Sequence, residues 1–200
     1  MDERIELLAN YLGEDAENIT PSEYSDDVFV TNMGEEYLVV TGEEAYELAK
    51  EDVLNLFDDL GLESFTDYAQ DYIINNFVDT DWFEDALREM EEYYVEDIKS
   101  ESASSDEYET RLEEEMAEAG VDNEEDFVEW LIEQAGDPVE YYKFNFGDKE
   151  FSQVVKANNL IDEDAMAEWV VDEDGPANSL ARYDGKEIDL DGNYFAYRQN

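Results

Sequence analysis

Residues 28–61 run VFVTNMGEEYLVVTGEEAYELAKEDVLNLFDDLG, and this stretch decides the fold class. Val28, Phe29 and Val30, then Tyr37 to Val40, are two β-rich runs around Asn32-Met33-Gly34-Glu35, the pattern of a β-hairpin. Thr41 stands three residues before Glu44, a capping-box spacing that starts a helix. Ala45, Leu48, Ala49, Val53, Leu56 and Leu60 then recur at helical spacing, and Gly61 stops the helix. A hairpin running straight into a long amphipathic helix predicts an α+β fold.

Toward the N-terminus, Ile5, Leu8 and Leu12 form a helical stripe closed by Gly13, and residues 14–25 read as a loop. Toward the C-terminus, residues 64–78 continue helically with Phe65, Tyr68, Tyr72 and Phe77 among the apolar positions. Asp79 or Thr80 caps a longer helix with the stripe Phe83, Leu87, Met90, Tyr94 and Ile98. Ser100–Ser105 reads as a loop, followed by a helix with Tyr108, Leu112, Met116 and Ala119 inside. Asp122 caps a helix containing Phe127, Trp130, Leu131 and Ala135, ended by Gly136. Tyr141–Phe146 alternates like a strand, residues 148–158 and 162–171 read as short helices, and Asp172–Asn178 as a turn. Glu187–Arg198 is a hairpin around Asp191-Gly192. The expectation is a helix-rich α+β fold. Antiparallel hairpins near both termini contribute to a small sheet, and the acidic helices form an elongated flank. The chain reads as an acidic helix-rich region over 1–140 and a less charged α+β region over 141–200, joined in one continuous structural unit.

Charge is the dominant compositional signal. Fifty-nine of 200 residues are Asp or Glu against 11 Lys plus Arg, a formal net charge of −48. Such self-repulsion destabilises a compact state, so something outside the fold requires the carboxylates. Disorder is not implied, because 42% of the chain is hydrophobic and 14% aromatic, enough to build a core. The net charge is −19 over residues 1–78, −22 over 79–140 and −7 over 141–200. The central helices therefore read as the densest acidic surface.

The chain has no His and no Cys. This removes disulfides, thiol nucleophiles, the commonest general base and every Ser-His triad. No P-loop or dinucleotide fingerprint occurs. Asp172-Glu173-Asp174-Gly175 and Asp189-Leu190-Asp191-Gly192 resemble calcium loops superficially. Aligned on the invariant glycine, the first places Val170 and Ala181 at the first and twelfth ligand positions, and the second places Arg198 at the twelfth. The expectation is a protein that is not an enzyme and uses no cofactor or metal. No apolar run approaches ~20 residues, and the acidic N-terminus is unlike a signal peptide. No basic cluster exists for direct nucleic-acid or membrane binding. The expected location is the host-cell cytoplasm.

The acidic helices suggest a role. Duplex DNA presents one charge per ~1.7 Å of axis, and a helix rises ~1.5 Å per residue. Rows of carboxylates on rigid helices would imitate phosphates and occupy the DNA-binding cleft of a basic DNA-binding host protein, a restriction nuclease or a CRISPR effector. The residues expected to form this surface are Asp85, Glu89, Glu92, Glu96, Glu107, Glu113, Glu114, Glu118, Glu125 and Glu129. A homodimer would lengthen it. The alternative is a salt-adapted or structural phage protein without mimicry. Its low Lys content, six residues, fits, whereas 34 Glu against 25 Asp does not.

Two segments carry a resemblance. DDVFVTNMGEEYLVVTGEEAYELAKEDV (26–53) resembles the start of small acidic phage-encoded proteins, in which a hairpin runs into an EYLVLTDEEA-type helix start. NSLARYDGKEIDLDGNYFAYRQN (178–200) resembles their tail, a YDG turn before a hairpin ending in YRxN. That resemblance implies a phage origin and brings no activity. In composition the chain is similar to DNA-mimic antirestriction inhibitors such as Ocr and ArdA.

Overall fold

The computed structural model describes residues 2–102 and 107–200, with side chains described outside 101–110. The described chain is a helix-rich α+β protein with a small antiparallel sheet built from both termini. It divides into a terminal unit, Met1–Leu60 with Glu163–Asn200, and an inserted unit, Gly61–Asp162. Neither division point coincides with the charge step read at residue 140.

In the terminal unit, helix α1 (Glu3–Leu12) starts where the Asp2 side chain accepts from the Arg4 amide and stops at Gly13 in the left-handed region. The segment read as a loop holds a 3-10 turn, Ala16–Asn18, and strand β1 (Thr20–Pro21). Strands β2 (Val28–Val30) and β3 (Glu36–Thr41) form the expected hairpin, with Val28 opposite Leu38. Helix α2 (Gly42–Leu60) follows at once. Its capping box is formed: Glu44 Oε2 accepts from the Thr41 amide at 2.9 Å and hydroxyl at 2.8 Å. The Thr41 hydroxyl in turn accepts from the Glu44 amide at 3.3 Å. The buried stripe is Ala45, Ala49, Val53 and Phe57, with Leu56 and Leu60 exposed. Ala45, Ala49 and Val53 are thus buried as expected, and the line continues four residues on at Phe57 rather than at Leu56 and Leu60, because burying the larger Phe57 ring removes more apolar area from water.

The chain returns to this unit with helix α9 (Glu163–Asp174), helix α10 (Pro176–Leu180), and strands β4 (Glu187–Asp189) and β5 (Tyr194–Arg198). The stretch expected as one turn, 172–178, is interrupted only at Gly175, since Pro176 restarts a helix at its first position. The sheet order is β1-β2-β3-β5-β4, antiparallel throughout, with the C-terminal strand beside β3. Phe29, Tyr37, Val39 and Ala196 point to the face covered by Ile5, Leu8 and Ala9 of α1. By the period of two along a strand, Val28, Leu38, Val40 and Tyr197 point to the other face.

In the inserted unit, a 3-10 turn (Gly61–Ser64) leads to helices α3 (Asp67–Phe77), α4 (Asp81–Ser102), α5 (Glu107–Ala119), α6 (Glu124–Ala135), α7 (Pro138–Phe146) and α8 (Asp148–Ala157). In α3 the buried residues are Ile73 and Ile74, while Tyr68 and Tyr72 are exposed. Helix α4 continues through Ser100, Glu101 and Ser102, which had read as loop; the rest of that expected loop, Ala103–Ser105, lies outside the described residues. The buried line of α4 is Phe83, Leu87, Glu91, Val95 and Ile98, with Tyr94 exposed. The Asn123 side chain, rather than Asp122, caps α6 by accepting from the Asp126 amide. Tyr141–Phe146 is helical, not a strand. Asp137 caps its helix with Pro138 next, and Tyr142 meets Phe146 one turn on with ring centroids 4.6 Å apart. An aromatic core links Phe83 to Tyr142 at 5.3 Å and to Phe151 at 4.9 Å. A second cluster joins Val95, Ile98, Leu112, Phe127 and Val128 across α4, α5 and α6. Tyr108, expected in that core, has its side chain outside the described residues.

Candidate functional site

The buried line of α4 fixes what its outer face presents. At about 100° per residue, Asp85, Glu89, Glu92 and Glu96 fall within an arc of about 60° roughly opposite the buried line, and all four are exposed. From Asp85 to Glu96 the helix rises about 17 Å, a mean of about 5.5 Å per carboxylate. One strand of a duplex places a phosphate every ~3.4 Å of axis. A single row therefore reaches about 60% of that density, less than the sequence comparison implied, and a second row must supplement it.

Helix α6 borders this row. Arg88 of α4 bonds Glu129 of α6 at 2.5 Å, and Lys99 of α4 bonds both Glu96, at 3.0 Å, and Glu124 of α6. Between the helices lies a groove of about 380 Å³ whose walls include Glu92, Glu96, Glu124 and Glu125 over Val95 and Val128. Glu125 and Glu129 thus lie beside the α4 row. Arg88 holds the Glu129 carboxyl below the ordinary glutamate range, and the same bond raises the Arg88 guanidinium. Glu124, followed by Glu96, raises the Lys99 ammonium. All three groups are charged at neutral pH at their ordinary values, and the pairing widens the pH range over which they stay so.

Helix α5 does not join the row. Its seam with α4 runs through Tyr94, whose hydroxyl donates to Glu115 at 3.0 Å and accepts from Arg111 at 3.5 Å. Tyr94 lies about 170° around α4 from the row. Glu113, Glu114 and Glu118 are exposed on α5 itself, on the far side of α4 from Glu89 and Glu92. Glu107 opens α5, and its side chain lies outside the described residues. The nine expected residues whose side chains are described therefore fall into an α4–α6 patch and a separate α5 patch. The sequence reading missed Arg88, Lys99 and Glu124. Glu124 had a signal, standing in the first turn of a helix whose start the sequence marks. The cross-helix pairing of Arg88, 41 residues from Glu129, had none.

Grouped by unit, the charge gradient vanishes. The terminal unit has 28 acidic and 5 basic residues, net −23, and the inserted unit 31 and 6, net −25. Among the described residues no helix is long and apolar enough to cross a membrane, and no group of three or more Asp or Glu is placed to hold a metal ion. Comparison of the chain with protein-family models, with curated proteins and with solved structures finds no match in any of the three.

Proposed function

We propose that the protein is a phage-encoded decoy for DNA, which uses the α4–α6 face to occupy the DNA-binding cleft of a basic host protein such as a restriction nuclease or a CRISPR effector. The observation that carries this reading is the four-carboxylate row directed away from the core, extended by Glu124, Glu125 and Glu129. Such a face attracts cationic clefts at long range, and its encounter rate falls as salt rises. No chemistry is required of it, because competition for the cleft is sufficient. The test is capture of partners from a bacterial lysate on the immobilised protein, followed by washing with short duplex DNA. Displacement of a DNA-binding protein by the duplex is the expected result. Retention of every captured protein against excess duplex rejects the decoy.

A second reading, adaptation to a salty solvent, has one observation in its favour: the nearly equal charge of the two units. Adaptation coats all surfaces, whereas a decoy needs only one. The two readings separate on dilution. A salt-adapted chain unfolds as NaCl falls below roughly molar, where the Debye length passes ~3 Å. A decoy stays folded at ~0.15 M, which circular dichroism reads directly.

A further inference from the structure

The terminal unit carries a groove that the decoy role leaves unused. It lies between α2 and the sheet face turned away from α1. A hollow of about 480 Å³ is lined by Val40, Leu48 and Leu54, and a second of about 340 Å³ shares Leu48 and Glu51 and adds Val28 and Leu38. Val28, Leu38, Leu48 and Leu54 are each only half-buried. From Glu44 to Asn55 the groove follows about 17 Å of α2, three helical turns.

The rim of the first hollow is acidic, with Glu44, Glu47, Glu51 and Asp164. Its one cation, Lys50, is already bonded to Glu168 at 2.9 Å. Glu47, Glu51 and Asp164 make no ion pair among the described residues. Arg182 reaches only the second hollow. An aliphatic floor under an anionic rim is complementary to an amphipathic segment with apolar residues on one face and Lys or Arg beside them. A second copy of this strongly acidic chain would bring like charge to the same rim.

We infer that this groove docks a basic amphipathic helix of a protein partner, with its aliphatic side chains on Val28, Leu38, Leu48 and Leu54 and its cations on Glu47, Glu51 and Asp164. The site stands on the unit that lacks the α4–α6 face, so it holds or fails independently of the decoy reading. Arg182 sets the polarity, because the cationic end of the helix lies toward Glu47 and away from Arg182.

The probe is a synthetic helical peptide of about 14 residues made of Leu and Lys at amphipathic spacing. The control has the same Lys residues with Ser in place of Leu. Titration of the whole protein, followed by methyl NMR and calorimetry, is expected to give one saturable site that perturbs Val28, Leu38, Leu48 and Leu54. The Ser control and the double variant Glu47→Lys/Glu51→Lys each bind about tenfold or more weakly, about 1.4 kcal/mol per tenfold. Both substituted positions are exposed, and the peptide comparison on the unmodified protein needs no variant at all. Equal binding of the two peptides, or shifts scattered over acidic surface in both units, overturns the site.

Discussion

Gly61 is the residue on which the start of the inserted unit depends. Its φ of 68° lies in the left-handed region, and a Cβ there would overlap the Oγ of Ser152. That Oγ is buried and accepts from the Leu62 amide at 2.9 Å. Gly61→Ala combines backbone strain with overpacking and is expected to destabilise the protein by about 2–4 kcal/mol in urea unfolding. Ser152→Ala leaves a buried N–H unpaired, with an expected loss of about 1–3 kcal/mol. Thr41 and Glu44 give a pH-dependent counterpart. Hydrogen bonds from the Thr41 amide, then its hydroxyl, lower the Glu44 carboxyl below the usual glutamate range. A lowered folded pKa contributes stability above the free-glutamate value of about 4.3, and the contribution is lost as pH falls through the folded value. Thr41→Val is therefore expected to lower stability by about 0.5–2 kcal/mol at pH 7. The difference from the parent should shrink toward pH 3, as read by thermal unfolding.

At the scale of elements, the α4–α6 face contains its own opposition. Arg88 and Lys99 are two cations inside an otherwise acidic surface. Glu89→Lys with Glu92→Lys is expected to abolish capture of a basic partner while circular dichroism stays unchanged. Arg88→Ser should strengthen capture instead, because it frees Glu129 and removes a like charge facing the partner's cations. If the reversal and the removal shift capture equally, the face is not the binding surface. The elements that were legible in the sequence are those whose signal is local. The Thr41–Glu44 box, the Asn32–Glu35 and Asp191-Gly192 turns, and the stops at Gly13, Gly61 and Gly136 all formed where expected. Tyr141–Phe146 misled because its alternating aromatic residues mimic a strand, whereas the Asp137 cap and Pro138 start a helix that leaves Phe144 and Phe146 exposed. The C-terminal end of the α2 stripe misled because Leu56 and Phe57 are both apolar, and only the neighbours decide which turns inward. For the site, exposure of each acid could be read from its own helix. The separation of α5 from the row could not, because it depends on Tyr94 packing across a 21-residue interval.

For the whole molecule, electrostatics sets the working range. Net charge −48 repels itself, so melting temperature is expected to rise between 0.01 and 0.15 M NaCl, as the Debye length falls from ~30 to ~8 Å. At the alkaline end the tyrosines take over. Burial raises the hydroxyls of Tyr37, Tyr141, Tyr142 and Tyr197 above their ordinary range, and for Tyr197 a 2.7 Å bond to Glu187 adds to it. A raised folded pKa contributes stability below the free-tyrosine value of about 10, which is lost as pH rises beyond it. Phenolate absorbance at these four positions is expected to appear together with the loss of circular dichroism. Titration of all 14 tyrosines near pH 10 with the fold intact contradicts that assignment.

The position of β5 also has a consequence for synthesis. Leu38 pairs with Tyr197, so the sheet waits for a strand made long after β3. At ~5–20 residues per second, the delay on a ribosome is on the order of 10 seconds. During it, residues 61–162 are being made, while the N-terminal hairpin stands with its β3 edge unpaired. The first 60 residues carry 18 acidic and 2 basic side chains. Mutual repulsion between nascent chains on one messenger therefore protects the half-built sheet, and the charge that strains the finished fold keeps it soluble while it is being made.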